Sequence, residues 1–308
     1  MKHMKFLSFF LGITFSIVAC SSNNEIIPVP DVDPDGDDGT TEVEFAKGAD
    51  IGWVTEYESQ GYNFYNAKGE QRECTALMKE LGLNAIRIRV WVDPSKHGNW
   101  CNTADVVEKA KRAKELGMDV MIDFHYSDWW ADPAQQNKPA SWVGKNLANL
   151  KSAIKDHTVS VLQALKAIGV IPKWVQVGNE IRPGMLWDED VALSGASYNV
   201  TEKDLKDAPA SATDKVVYPM NWANLGAFVT TGYDAVKSVF PDAIVIVHLD
   251  NGWDSGLFTW FFDELKKNGG KWDMIGMSLY PYWSRDAKEG YSSADAVITD
   301  CICNIKAL

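Results

Sequence analysis

The feature that most narrows the fold is a punctuation repeated from Phe45 onward: an amphipathic helical pattern, a glycine, then a short apolar run. One helical pattern carries Leu147, Leu150, Ile154, Val161, Leu165 and Ile168 at steps of three, four or seven and closes at Gly169. Another carries Val106, Val107, Ala110, Ala113 and Leu116 and closes at Gly117. Gly82 closes an earlier one, and Gly269 with Gly270 closes the one after Trp260. A glycine just past the last turn accepts the left-handed backbone that stops a helix. The apolar runs, over 47–53, 85–91, 120–125, 174–178, 244–249 and 274–279, are short and bounded by turn residues, as strands buried on both faces are. Strand and helix in alternation predict βα units with parallel pairing.

Two architectures share that alternation, a (β/α)8 barrel and an open doubly wound sheet. A nucleotide-binding sheet carries a glycine-rich loop after its first strand. Here Gly48-Ala49-Asp50-Ile51-Gly52 lacks the third glycine and runs on into Trp53-Val54-Thr55-Glu56, which weakens that alternative. The 308 residues and 46% hydrophobic content suffice for one barrel-sized core. A formal net charge of −12 argues against a nucleic-acid partner, whose phosphates need lysine and arginine. The 13 tryptophans suit either a core or the stacking of flat, apolar sugar faces.

The first 44 residues are different material. Met1-Lys2-His3-Met4-Lys5, an apolar run from Phe6 to Val18 and then Ala19-Cys20 have the layout of a cleaved secretory signal, too short to span a bilayer. Ile17-Val18-Ala19-Cys20 resembles a bacterial lipobox. The expectation is a signal peptide over 1–19, lipidation at Cys20 and a membrane-anchored, secreted lipoprotein of the outer membrane or cell surface. Residues 20–44, rich in aspartate, proline and glycine, read as an acidic, disordered tether, and 45–308 as the folded domain. With Cys20 carrying lipid, four cysteines are left, and Cys74 with Cys101 is one conceivable bridge; Cys301 and Cys303 read as helix residues.

The segments after the strands are polar and aromatic: Asp93-Pro94-Ser95-Lys96-His97, His125-Tyr126-Ser127-Asp128-Trp129-Trp130, Asn179-Glu180, Asp250-Asn251-Gly252-Trp253-Asp254 and Tyr280-Pro281-Tyr282-Trp283. In a β/α barrel such ends converge on one face. Hydrolysis of a glycosidic bond needs a carboxylic acid for the leaving oxygen and a second carboxylate to attack or activate water. Glu180 suits the first role, because the apolar strand before it supplies a low-dielectric wall that keeps a carboxyl protonated. A glutamate at a strand end also serves as a helix cap or an arginine partner, so this spacing leaves both readings open. Asn179 beside it is placed to hydrogen-bond a sugar hydroxyl.

Five stretches taken together are more specific. They are 47–56, 82–94, 123–133, 176–187 (with Gly178-Asn179-Glu180) and 275–283 (with Met277-Ser278-Leu279-Tyr280). In this order they closely resemble the endo-β-1,4-galactanases of glycoside hydrolase family 53, from about Phe45 to the end of the chain. The resemblance implies a clan A (β/α)8 TIM barrel acting on β-1,4-galactan, including (arabino)galactan side chains of pectin, by a retaining double displacement. It implies Glu180 as acid/base and Asn179 as its sugar-binding neighbour. Arg89 and His125 then orient the site, and Tyr280 positions the nucleophile. Asp50, Glu56, His248, Asp250 and Trp283 are further candidates for the cleft, and Trp129 and Trp130 for a stacking platform.

The family's nucleophile is a glutamate at the end of a seventh strand. The segment 294–305 reads as a sixth helix, so about six of the eight βα units are expected, without that glutamate. Glu264 and Glu289 lie in helix and loop settings and do not replace it. The 308-residue chain is therefore expected to hydrolyse galactan poorly. No cofactor and no metal are assigned, since a calcium site known in bacterial members falls in the late loops. A monomer is expected. Competing readings are a clan A hydrolase acting on mannan, xylan or cellulose, and a surface lipoprotein that binds galactan without cutting it.

Overall fold

The computed structural model describes residues 45–187, 221–281 and 294–308. The expected signal segment, Cys20, the tether and Trp283 lie outside these residues.

Six strands form one sheet, and every pairing in it is parallel. Its order is β1 (Gly48–Asp50), β4 (Ala85–Val90), β5 (Asp119–Phe124), β6 (Trp174–Val177), β7 (Ile244–Leu249) and β8 (Met274–Met277). These are the six expected strands, with the first and last shortened. A small antiparallel hairpin, β2 (Phe64–Tyr65) and β3 (Gln71–Arg72), interrupts the first crossover. Among the described residues the α-helices are α1 (Val54–Ser59), α2 (Cys74–Glu80), α3 (Thr103–Glu115), α4 (Leu147–Ala167), α5 (Trp222–Val239), α6 (Ser255–Lys267) and α7 (Ala294–Ala307). Four of them start on a short amide or acid, Asn102, Asn146, Asn221 and Asp254, whose side chain accepts the amide three residues on. Strands following one another along the sheet, joined by these crossovers, make the architecture a partial (β/α)8 barrel.

The strands are not apolar on both faces, as the sequence reading has them. Alternate residues point to opposite sides, and one side, with Ile86, Ile88, Val90, Ile122, Phe124, Val175, Val177, Val245 and Val247, joins the helical core through Val106, Ile154, Leu165, Phe228 and Phe261. The other side carries Arg87, Arg89, Asp123, Gln176 and His248. Register sets Asp50 beside Arg87, Arg89 beside Asp123, and Asp123 beside Gln176. A polar floor thus runs across the sheet below its carboxyl ends.

The conceivable Cys74–Cys101 bridge is not formed: both thiols are free and buried. Cys101 donates to the Gly52 carbonyl at 3.3 Å, while Cys74 opens α2. Burial pushes the Cys74 thiol up to about 11, so it stays protonated. Cys301 and Cys303 lie on α7 as expected.

Candidate active site

Three consecutive strands end in a non-glycine residue with left-handed backbone: Tyr126 (φ 50°) after β5, Glu180 (φ 49°) after β6 and Asn251 (φ 55°) after β7. Such conformations persist only where the surroundings impose them, and they gather at functional sites. The turn after β6 needs its glycine, because Gly178 has φ +81° and an added Cβ would sit 2.5 Å from Ile181. Buried Gln136 then ties the turn down, donating to the carbonyl oxygens of Asn179 at 2.8 Å and Glu180 at 3.3 Å.

Beneath the turn lies a closed network centred on Asp123, which has no exposed surface. Its carboxylate meets Arg87 Nη2 at 2.8 Å and His125 Nε2 at 2.9 Å, and it accepts from Gln176 Nε2 at 2.5 Å. Burial alone would raise this carboxyl; the adjacent Arg87 guanidinium and His125 outweigh burial and hold it below the usual range. His125 Nδ1 receives the Ala131 amide and the Trp91 indole N–H, which assigns its proton to Nε2, facing Asp123. Arg87 also pairs with Asp50 at 2.7 Å and donates to Asn179 Oδ1 at 2.9 Å. Asn179 is buried, and its Nδ2 donates to the Ala131 carbonyl at 2.7 Å, so its amide is engaged within the protein.

Glu180 sits above this network, partly buried. Its Oε1 accepts the Ser278 hydroxyl at 2.5 Å, and Ser278 Oγ lies 2.9 Å from His248 Nε2. Burial pushes the Glu180 carboxyl up to about 7; the Ser278 hydrogen bond opposes this, Asp250 and Asp132 reinforce it, and Arg87 opposes it. Burial, with Arg87 adding to it, pushes His248 down to about 3, so the ring is neutral. A carboxyl that holds its proton near neutrality is what general-acid chemistry requires.

To one side stands an aromatic wall. Trp129 and Trp130 are each a little over one-third exposed, at 37% and 38%. Trp129 stacks on His97 with centroids 3.8 Å apart, and the Arg89 guanidinium lies 4.1 Å from the Trp130 ring centre. Trp91 packs behind both. Arg89 passes close to Gly52, where a Cβ would be 2.8 Å from its Nη1, and reaches Asp50 at 3.4 Å. Asp250 is buried in a two-pronged pair with Arg182. Glu56 lies on α1, where Gln60 donates to it at 3.5 Å. Tyr280, beyond β8, is 58% exposed.

Asp50, Arg89, His125, Asn179, Glu180, His248 and Asp250 therefore belong to interlocking contacts at the strand ends. Among the described residues, the Glu180 side chain and its turn are met by Ser278, Gln136 and His248 rather than by the predicted Glu56 and Tyr280. Sequence reasoning did not single out Arg87, Asp123, Gln176, Gln136, Arg182 or Ser278. A detectable signal existed for three of them: Arg87, Asp123 and Gln176 are polar residues inside apolar strands.

Fold and site define a βα-barrel protein with its polar site at the carboxyl ends of the strands. The family profile described as Glycosyl hydrolase family 53 matches residues 46–300, and the chain belongs to that family. It is 34% identical over 247 residues to an arabinogalactan endo-beta-1,4-galactanase of Thermothelomyces thermophilus, covering 78% of this chain and 65% of that protein. Among solved structures, one of the fungal beta-1,4-galactanases superposes with a TM-score of 0.64 at 32% identity, over 77% of this chain and 64% of the other. The GH53 catalytic domain of Ignisphaera aggregans does so at 0.64 and 31% identity, over 84% and 63%. The chain spans 60–65% of the length of the first curated relatives it matches.

Proposed function

We propose that this chain carries the acid/base half of an endo-β-1,4-galactanase, acting on (arabino)galactan side chains of pectin, with Glu180 as proton donor. The observation that carries the proposal is a partly buried carboxyl, held near pH 7, at the mouth of the sheet, on the strand next to the one that exposed Trp129 and Trp130 follow. Protonation of the glycosidic oxygen by Glu180 lets the leaving sugar depart as an alcohol. After the glycosyl transfer, the same carboxylate takes a proton from the attacking water. Trp129 and Trp130 offer flat faces for galactose rings, and Arg89 holds Trp130 in place from behind. Asn179 is proposed to steady the site from within, and to reach sugar only by exchanging one of its present partners. Asp50, His125, His248 and Asp250 support Glu180 through the network; Glu56, Tyr280 and Trp283 are proposed as outer contacts of the cleft.

A retaining mechanism needs a second carboxylate, which the family resemblance assigns to a seventh strand. We therefore propose that the 308-residue chain binds galactan and hydrolyses it poorly. The test has two arms. In native gels containing β-1,4-galactan, β-mannan or xylan, galactan alone should retard the chain. A version extended with the late barrel segment of a family relative should release galacto-oligosaccharides, and Glu180→Gln should lower that rate by about 10²–10⁴-fold. Brisk turnover by the 308-residue chain would show the nucleophile to be misplaced. Binding by both versions without turnover by either would favour the non-catalytic lipoprotein reading, and retardation by mannan or xylan a related glycanase.

We also propose that cleavage after Ala19 leaves a lipidated Cys20, followed by the acidic segment 21–44 as a tether, on a monomeric outer-membrane protein. Cys20→Ser should move the protein from the membrane fraction to the soluble one.

A further inference from the structure

A carboxyl has two oxygens, and a general acid works only if its proton is on the one that faces the leaving group. In Glu180 the two oxygens are not equivalent. Oε1 accepts from Ser278, whereas Oε2 takes no hydrogen bond from the described residues and is not among the sealed, partnerless atoms.

The direction of the Ser278 hydrogen bond is set one step further back. His248 Nδ1 faces the Glu180 backbone N–H at 3.4 Å and Asn179 Oδ1 at 3.0 Å. The orientation of the Asn179 amide is fixed by its Nδ2 bond to Ala131, so Oδ1 cannot be a donor. That oxygen accepts from Arg87 Nη2 at 2.9 Å, while Gln176 Nε2, 3.1 Å away, has shorter contacts for its two hydrogens, Asp123 at 2.5 Å and the Gly178 carbonyl at 2.9 Å. A proton on Nδ1 would leave the Glu180 amide facing an N–H. The tautomer that keeps that amide bonded carries its proton on Nε2. Nε2–H then donates to Ser278 Oγ, whose own hydrogen is left for Glu180 Oε1.

We propose that His248 and Ser278 are positioning residues forming a one-way donor chain, which reserves Oε1 of Glu180 as an acceptor and so places the transferable proton on Oε2. The inference rests on Glu180 being the acid. In the acid step the Oε2–H bond breaks, the proton passes to the glycosidic oxygen, and the electron pair stays on Oε2. In the base step Oε2 takes a proton from water. Neither Ser278 nor His248 has to reorient between the two. The charged and titratable groups around the chain are Arg87 from β4, Asp123 and His125 from β5 and its loop, Asp132, and Asp250 from the end of β7. None of these changes when Ser278 is substituted.

The test is nuclear magnetic resonance on the whole chain, independent of hydrolysis. With 15N-labelled histidine, and His248→Asn to assign the signal, His248 should show a protonated Nε2 and a bare Nδ1 through neutral pH. A proton on Nδ1 would mean that Ser278 donates to His248 and accepts from Glu180, which overturns the proposal. With 13C-labelled glutamate, the Glu180 midpoint near 7 should rise by about one pH unit in Ser278→Ala, since a hydrogen bond donated to the charged form is lost. Ser278→Thr should return it; an unmoved midpoint in Ser278→Ala also overturns the proposal. If Ser278→Ala does not fold, the tautomer in the unsubstituted chain decides alone. Failure of the Glu180→Gln assay with an Nε2 proton present would remove the acid role and leave the donor chain. The reverse pairing would remove the donor chain only.

Discussion

The floor under β4 to β6 and the edge at β8 belong to one sheet, and the floor is sealed very differently from the edge and from helix α7. Arg87, Asp123, Gln176 and Asn179 saturate one another beneath the Glu180 turn, and Asp123 has no exposed surface. At the edge, β8 pairs only with β7 among the described residues, and Met274 is 41% exposed. Helix α7 buries one stripe, Val297, Cys301 and Asn304, and leaves Ile298, Ile302 and Ile305 in solvent at 38%, 41% and 59%. Glu180 spans the two regions: its turn is anchored on the floor, while its hydrogen-bond donor, Ser278, comes from just past β8. The floor sets the geometry of the acid, and the edge supplies the contact that steadies its charged form.

The contrast is broken most directly by removing its centre. Asp123→Ala leaves the Arg87 guanidinium facing a cavity, and losing one partner of a buried ion pair costs about 3–5 kcal/mol. The urea midpoint should fall accordingly. A surface pair such as Lys173 with Asp119, 2.6 Å apart and nearly half exposed, should lose under about 1 kcal/mol in Lys173→Ala. Equal losses at the two sites would mean that the floor is no better sealed than the surface.

Protonation sharpens the same comparison. His157, on α4, lies in the helical core on the far side of the sheet from the floor, against Phe124, Tyr126 and Trp142; its Nε2 is buried without a partner, and burial pushes it down to about 4. The unfolded chain binds this proton near pH 6.5, so stability present above that pH is lost as pH falls toward 4. The loss is about 3 kcal/mol, and His157→Phe should abolish that part of it. Glu180 runs the other way. Its folded value is raised to about 7, so the unfolded chain releases its proton first, and the contribution present below about pH 4.5 is lost as pH rises through 7. Glu180→Gln should therefore gain about 3 kcal/mol on the unsubstituted chain between pH 5 and 8, read as diverging urea midpoints. Parallel curves would place the carboxyl in solvent.

All six strands were legible in the sequence because glycine stops and apolar runs are local signals that tertiary contacts did not override. The strand-end residues Glu180, Asn179, His125 and Asp50 were legible for the same reason. Arg87, Asp123 and Gln176 were passed over, although a residue two positions before another in a strand faces the same way. Arg87 therefore faces with Arg89, and Asp123 with His125. Ser278 and Arg182 had no such signal, since their partners lie 98 and 68 residues away and only the folded sheet brings them together. Whether Trp129 or Trp130 entered the core was open in the sequence; His97, from the loop after β4, and Arg89, from β4 itself, hold both at the surface.

The smallest expected effect tests the edge itself. A helix with apolar residues on two faces is ordinarily covered on both, yet the stripe of Ile298, Ile302 and Ile305 adds little to the fold while it is exposed. Ile302→Gln with Ile305→Lys should change stability by no more than about 0.5 kcal/mol, the usual range for surface substitutions. Light scattering at high concentration should fall, because an exposed apolar patch that favours non-specific association is broken. A loss of several kcal/mol would mean that this stripe is packed, and the β8 and α7 region would then be as sealed as the floor under β5.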